Sequence, residues 1–166
     1  MINTILKYAF MALTFFFLAI LQTSFLPYFS ILGATANLIF VLFFLCIFFL
    51  RKKEHTAGFF LATIAGFFMD IVSQNGFGVF IITLLALYVL HVTVSNFLKE
   101  SQGKNIIFYF VAEFCALFLL FELPLIHSFS FLLINLLYNL FFAIAGFYVY
   151  KKLFYRGSDD NQLKLL

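Results

Sequence analysis

Apolar residues arrive in long runs separated by short polar breaks. Six runs divide the chain at Ile5–Leu26, Ile31–Leu50, Ala57–Val72, Phe77–Phe97, Ile106–Leu123 and Phe129–Tyr150. Most approach the roughly 20 residues that an α-helix needs to cross a bilayer, and the third is shorter. The connectors Pro27–Ser30, Ser73–Gly76 and Pro124–Ser128 are tight, which predicts helical hairpins. The pattern therefore predicts an all-α polytopic integral membrane protein: one domain over residues 1–156, built as a compact bundle of six transmembrane helices in three hairpins. Residues 157–166, polar apart from their leucines, are expected to form a short cytoplasmic tail that frays. No soluble domain, internal repeat or low-complexity linker interrupts this plan.

Charge placement gives the orientation, because cytoplasmic loops accumulate Lys and Arg. Lys7 precedes most of the first run, Arg51, Lys52 and Lys53 follow the second, Lys99 and Lys104 the fourth, and Lys151, Lys152, Arg156 and Lys164 the sixth. These are all 10 basic residues, and the other three connectors carry none. Both termini are thus expected inside and the three uncharged turns outside, an arrangement that an odd number of spans would break. The first run is long enough to span and lacks a small-residue cleavage site, so it is expected to stay as a span and not to be removed as a signal peptide.

Composition agrees with lipid as the main solvent. The chain is 65% hydrophobic and 10% charged and contains 29 phenylalanines among 166 residues, with a mean hydropathy of +1.12. A soluble domain carries about 25% charged residues. The net charge of +3 sits in clusters between apolar runs, not along one polar face, so no nucleic-acid partner is expected. Cys46 and Cys115 lie in separate apolar runs without a CxxC or a neighbouring histidine, and His55, His91 and His127 are far apart, so no metal site or cofactor is expected. HExxH, GxSxG and GxxxxGK[ST] motifs are absent, and no catalytic residue or enzymatic activity is assigned.

The few polar residues inside the apolar runs are the candidate functional groups, since such groups are costly in hydrocarbon and usually face the bundle interior. Gln22, Asn37, Asp70 and Glu122 are expected in one layer near the outward ends of four spans. They form either a recognition layer for a partner or small solute, or simple helix ends at the interface. Glu113 lies deeper and needs a partner. Asn135 and Asn139 share one face of the antiparallel sixth run, so a Glu113–Asn139 hydrogen bond is expected, and the three residues form either a buried polar clamp or part of an ion or proton path. Gly58, Ala62, Gly66 and Asp70 recur every four residues, with Ala65 alongside. This small-residue stripe would let another helix approach closely and is the candidate partner-binding face.

The stretch Gly58-Phe59-Phe60-Leu61-Ala62-Thr63-Ile64-Ala65-Gly66-Phe67-Phe68-Met69-Asp70-Ile71-Val72-Ser73, followed by Gly76-Phe77-Gly78, resembles the central signature of the rod shape-determining MreD family. Leu21-Gln22-Thr23-Ser24-Phe25-Leu26-Pro27 is similar to that family's first-span ending, and Ala36-Asn37-Leu38 stands where its Pro-Asp opening is frequent. Ala36-Asn37 and the proline-free Gln74-Asn75-Gly76 depart from the family pattern, and the second half of the chain matches mainly by hydropathy. The resemblance implies a non-enzymatic scaffold of the bacterial cell-wall elongation machinery in the cytoplasmic membrane. It also implies MreC as direct partner, and MreB, a SEDS glycosyltransferase and a penicillin-binding transpeptidase as associates. The alternative is a substrate-binding membrane subunit of an energy-coupling-factor vitamin transporter, although Ala9, Ala12 and Ala19 do not form the AxxxA docking stripe common in such subunits.

Overall fold

Each apolar run contains an α-helix, and in the described breaks Pro27, Gly33, Gly78 and the Asn37 cap interrupt the backbone ladder. The computed structural model describes residues 2–50, 55–73, 76–97, 106–122 and 128–154. Its elements are α1 (Ile2–Ser24), a 3-10 turn (Leu26–Phe29), α2 (Leu38–Phe48), α3 (His55–Val72), α4 (Val79–Phe97), α5 (Ile106–Glu122) and α6 (Phe129–Phe154), with no strand among the described residues. Two helical segments, His55–Val72 and Phe129–Lys152, are long and apolar enough to be candidate membrane spans, while Ala9–Ser24, Leu38–Phe48 and Val79–Ser95 are shorter apolar helices. The basic residues Arg51, Lys52, Lys53, Lys99, Lys104, Arg156 and Lys164, the 123–127 connector with His127, and the 157–166 tail lie outside the described residues.

The second run departs most from expectation: its 20-residue apolar stretch holds a helix of 11 residues. Residues 31–37 turn instead. Ile31 and Ala34 pair through their backbones, Leu32 and Gly33 take φ of 52° and 85°, and the Asn37 side chain accepts from Phe40 N at 3.1 Å to start the helix. At 1.5 Å per residue α2 is roughly 16 Å long, about half the hydrocarbon thickness of a bilayer. It has no need to match that thickness because other helices surround it: seven of its residues are buried. Phe40 and Phe44 pack edge-on to Phe118 and Phe114 of α5, with ring centroids 5.4 and 5.2 Å apart. Such pairs add about 0.5–1.5 kcal/mol each beyond simple burial. A helix apolar on every side is a core helix, and α2 is the axis of this bundle.

The small-residue stripe builds the α3–α4 hairpin. A Cβ on Gly66 would stand 2.5 Å from Ile81 Cα and 2.7 Å from Ile81 N, and one on Gly58 would overlap the Tyr88 ring. Ala62 and Ala65 are fully buried. Tyr88, lying across Gly58, donates its hydroxyl to the His55 carbonyl at 3.0 Å. The close approach expected of the stripe thus occurs within the chain, where α4 covers it. On the opposite face of α3, Phe60, Thr63, Phe67 and Ile71 are exposed.

Candidate functional site

At one end of the bundle α1, α3 and α5 finish and α2, α4 and α6 begin, and the sequence between each pair contains no Lys or Arg. Asp70 is in the last turn of α3, and its side chain reaches over to the next helix. One carboxylate oxygen accepts from Gly78 N at 2.9 Å and the other from Phe80 N at 2.8 Å. Gly78 holds φ at +97°, a backbone conformation that glycine adopts without strain, and so turns its N–H toward the carboxylate. Asp70 therefore satisfies otherwise unpaired donors at the start of α4 and places a negative charge at the positive end of that helix. Within the chain Asp70 is buried and occupied as a cap.

The other members of the expected outer layer do meet. Gln22, Asn37, Ser73 and Glu122 line one cavity of about 170 Å³, with Met69 and Phe121 among its apolar walls. Asp70 is not among the lining residues. Gln22 Oε1 accepts from Ile39 N at 3.4 Å, so two side-chain oxygens, its own and that of Asn37, serve the first turn of α2.

Asn139 is completely buried, and its carbonyl oxygen accepts from Asn37 N at 2.6 Å. Its amide donates to Asn135 Oδ1 and to the Asn135 carbonyl, both at 2.9 Å. Asn135 is in turn hydrogen-bonded to the Glu122 carboxylate. The donors all point the same way, from Asn37 N–H through the two amides to Glu122. The relay ties α2, α6 and α5 together with every buried polar atom satisfied.

Glu113 does not join this group, and the expected Glu113–Asn139 bond is absent. Glu113 and Glu122 are nine residues apart on α5, about 900° of rotation at roughly 100° per residue, and so lie on opposite faces. Glu122 faces α6, whereas Glu113 faces α4 and meets His91 Nδ1 at 2.6 Å. The two side chains are 9% and 10% exposed, a nearly dry pair. The polar clamp read from sequence is thus two separate clamps, one joining α4 to α5 and one joining α2, α5 and α6. His91 was missed as a partner, yet the signal was present: it lies six residues before the end of α4 and Glu113 seven after the start of α5, at matching depth across an antiparallel pair.

No family model, curated protein or solved structure matches this chain. Chemistry must therefore be read from the geometry alone. Among the described residues no three metal-ligating side chains converge. Neither Cys46 nor Cys115 is in a disulfide. What converges is a small cavity with a carboxylate on its wall, backed by side chains that bind helices to one another.

Proposed function

We propose that the chain is a non-enzymatic membrane scaffold of the bacterial cell-wall elongation machinery, related to MreD. In this reading it is a six-span protein of the cytoplasmic membrane with both termini inside. The resemblance around Gly58–Gly78 supplies the family. The supporting observation from the fold is the division of labour on α3: its small residues are closed off by α4, while Thr63, Phe67 and Ile71 are exposed on the other face. That uncovered face is where the membrane helix of MreC would pack, so the site moves from the glycine stripe to its reverse side. MreB, the SEDS glycosyltransferase and the transpeptidase would then associate through the same assembly.

Replacing Phe67 and Ile71 together by Ala is expected to reduce co-purification with MreC at least about threefold at equal expression; an interface helix that loses two large side chains forfeits most of its dispersion contacts. Gly66→Leu is a weaker test, since it breaks the hairpin itself. Wild-type recovery of MreC by the double variant would remove this face from consideration, and normal rod elongation after depletion of the protein in its host would remove the scaffold reading.

The vitamin-transporter alternative gains from the existence of a polar cavity and loses on its size. Pockets that enclose drug-sized ligands measure about 300–1,000 Å³. A cavity of about 170 Å³ is too small for a vitamin.

A further inference from the structure

The cavity at the Lys/Arg-free end has a chemical character that the scaffold reading does not use. Its polar wall is made by Gln22, Asn37, Ser73 and Glu122, and its floor by Met69 and Phe121. Glu122 is 9% exposed, and none of the described residues that line the cavity is basic. One hydrogen bond from Asn135 serves a carboxylate that has about four lone-pair positions. The carboxylate therefore has unused acceptor capacity next to an open space, and no described lining residue supplies it with a counter-charge.

An anion is disfavoured by the Glu122 carboxylate on the wall and by the start of α2. The start of α2 borders the cavity, and a free helix N-terminus would attract an anion. Here the donors of Asn37, Ile39 and Phe40 are already taken by oxygens of Asn139, Gln22 and Asn37. The side-chain amide groups of Gln22 and Asn37 remain as donors on the wall, since in both residues the bond just described uses the oxygen. A matching guest thus combines a compact N–H cation for Glu122 with an adjoining oxygen for the amides. Bulkier ligands do not fit.

We propose that this cavity binds a primary ammonium carrying a neighbouring oxygen, the chemistry of ethanolamine, presented either by a phospholipid headgroup or as the free amino alcohol. The bound ammonium donates to the Glu122 carboxylate, its oxygen accepts from Gln22 or Asn37, and Ser73 flanks the mouth. The proposal needs only the helix arrangement and holds whether or not MreC is the partner.

The test uses the full chain in detergent and in nanodiscs. Ethanolamine titrated into the detergent-solubilised protein is expected to raise its thermal midpoint, and choline at equal concentration, which has no N–H to donate, is expected not to. Glu122→Gln should weaken ethanolamine binding by on the order of tenfold, as the loss of a charge-assisted hydrogen bond requires. Ser73→Leu, which fills the mouth while leaving Glu122 in place, should do the same. In nanodiscs, phosphatidylethanolamine retained through native mass spectrometry in preference to phosphatidylglycerol identifies the lipid as the source, and a response to free ethanolamine without lipid retention identifies the soluble amine. The proposal is overturned if neither probe binds, if choline binds as well as ethanolamine, or if binding survives both substitutions. Should Glu122→Gln fail to fold, Ser73→Leu alone decides.

Discussion

Asp70 carries two buried hydrogen bonds with a single side chain, and both go to the backbone of a different helix. A hydrogen bond to a charged group contributes about 1.5–3 kcal/mol. Asp70→Ala is therefore expected to cost roughly 3 kcal/mol, measured as a fall in thermal stability of the detergent-solubilised protein. Asp70→Asn should cost distinctly less, because its amide oxygen still accepts from one of the two N–H groups. No loss from Asp70→Ala would show that the carboxylate does not act as a cap, and equal losses from the two substitutions would mean that the cap needs both carboxylate oxygens. Asn139 makes a complementary case. Replacing it by Leu removes the acceptor for Asn37 N and strands Asn135, so about 2 kcal/mol or more should be lost although the leucine is apolar and of similar size.

At the scale of helices, His91 and Glu113 form the buried polar link between α4 and α5. Removing one member of such a pair leaves the other buried without its partner, at a cost of roughly 3 kcal/mol or more. His91→Leu and Glu113→Leu should each be destabilising, while the double substitution recovers most of the loss, because two apolar groups replace the pair together. A thermal double-mutant cycle measures this, and additive effects would show the two side chains to be energetically independent. The pair also marks how far the sequence could be read. Helix number and order followed from apolar runs and breaks, and the polar layer of Gln22, Asn37 and Glu122 followed from helical rise. Depth alone placed Glu113 level with Asn139 and equally with His91, and only the rotation between Glu113 and Glu122 separates the two choices. The short α2 was hidden for a different reason: Ile31–Leu50 is apolar throughout, and hydropathy does not see the Leu32–Gly33 turn. The Gly58–Gly66 stripe is a close-packing face, but which helix fills it depends on tertiary contacts that a single periodicity does not encode.

Among the described residues the surface is broadly apolar, an inversion of the usual soluble pattern. Phe10, Leu13 and Phe17 on α1 and Leu133, Leu137 and Phe141 on α6 all stand exposed, while the polar side chains Asp70, His91, Asn135 and Asn139 are inside. Such broad apolar surface is unsustainable in water and suits a lipid surround. The six-span proposal turns this inversion into a topology that labelling can decide. With Cys46 and Cys115 replaced by Ala, a single cysteine at Ser30 or at Ser128 should react in intact cells with a maleimide that does not cross the membrane. Both positions are exposed at the Lys/Arg-free end. A single cysteine at His55, exposed at the opposite end, should react only after the cells are opened. Labelling of His55→Cys from outside would reverse the orientation. If only one of Ser30→Cys and Ser128→Cys reacts, those two turns lie on different sides of the membrane and an odd number of crossings separates them. Reaction of both with protection of His55→Cys is the result that two cytoplasmic termini and three outward turns require.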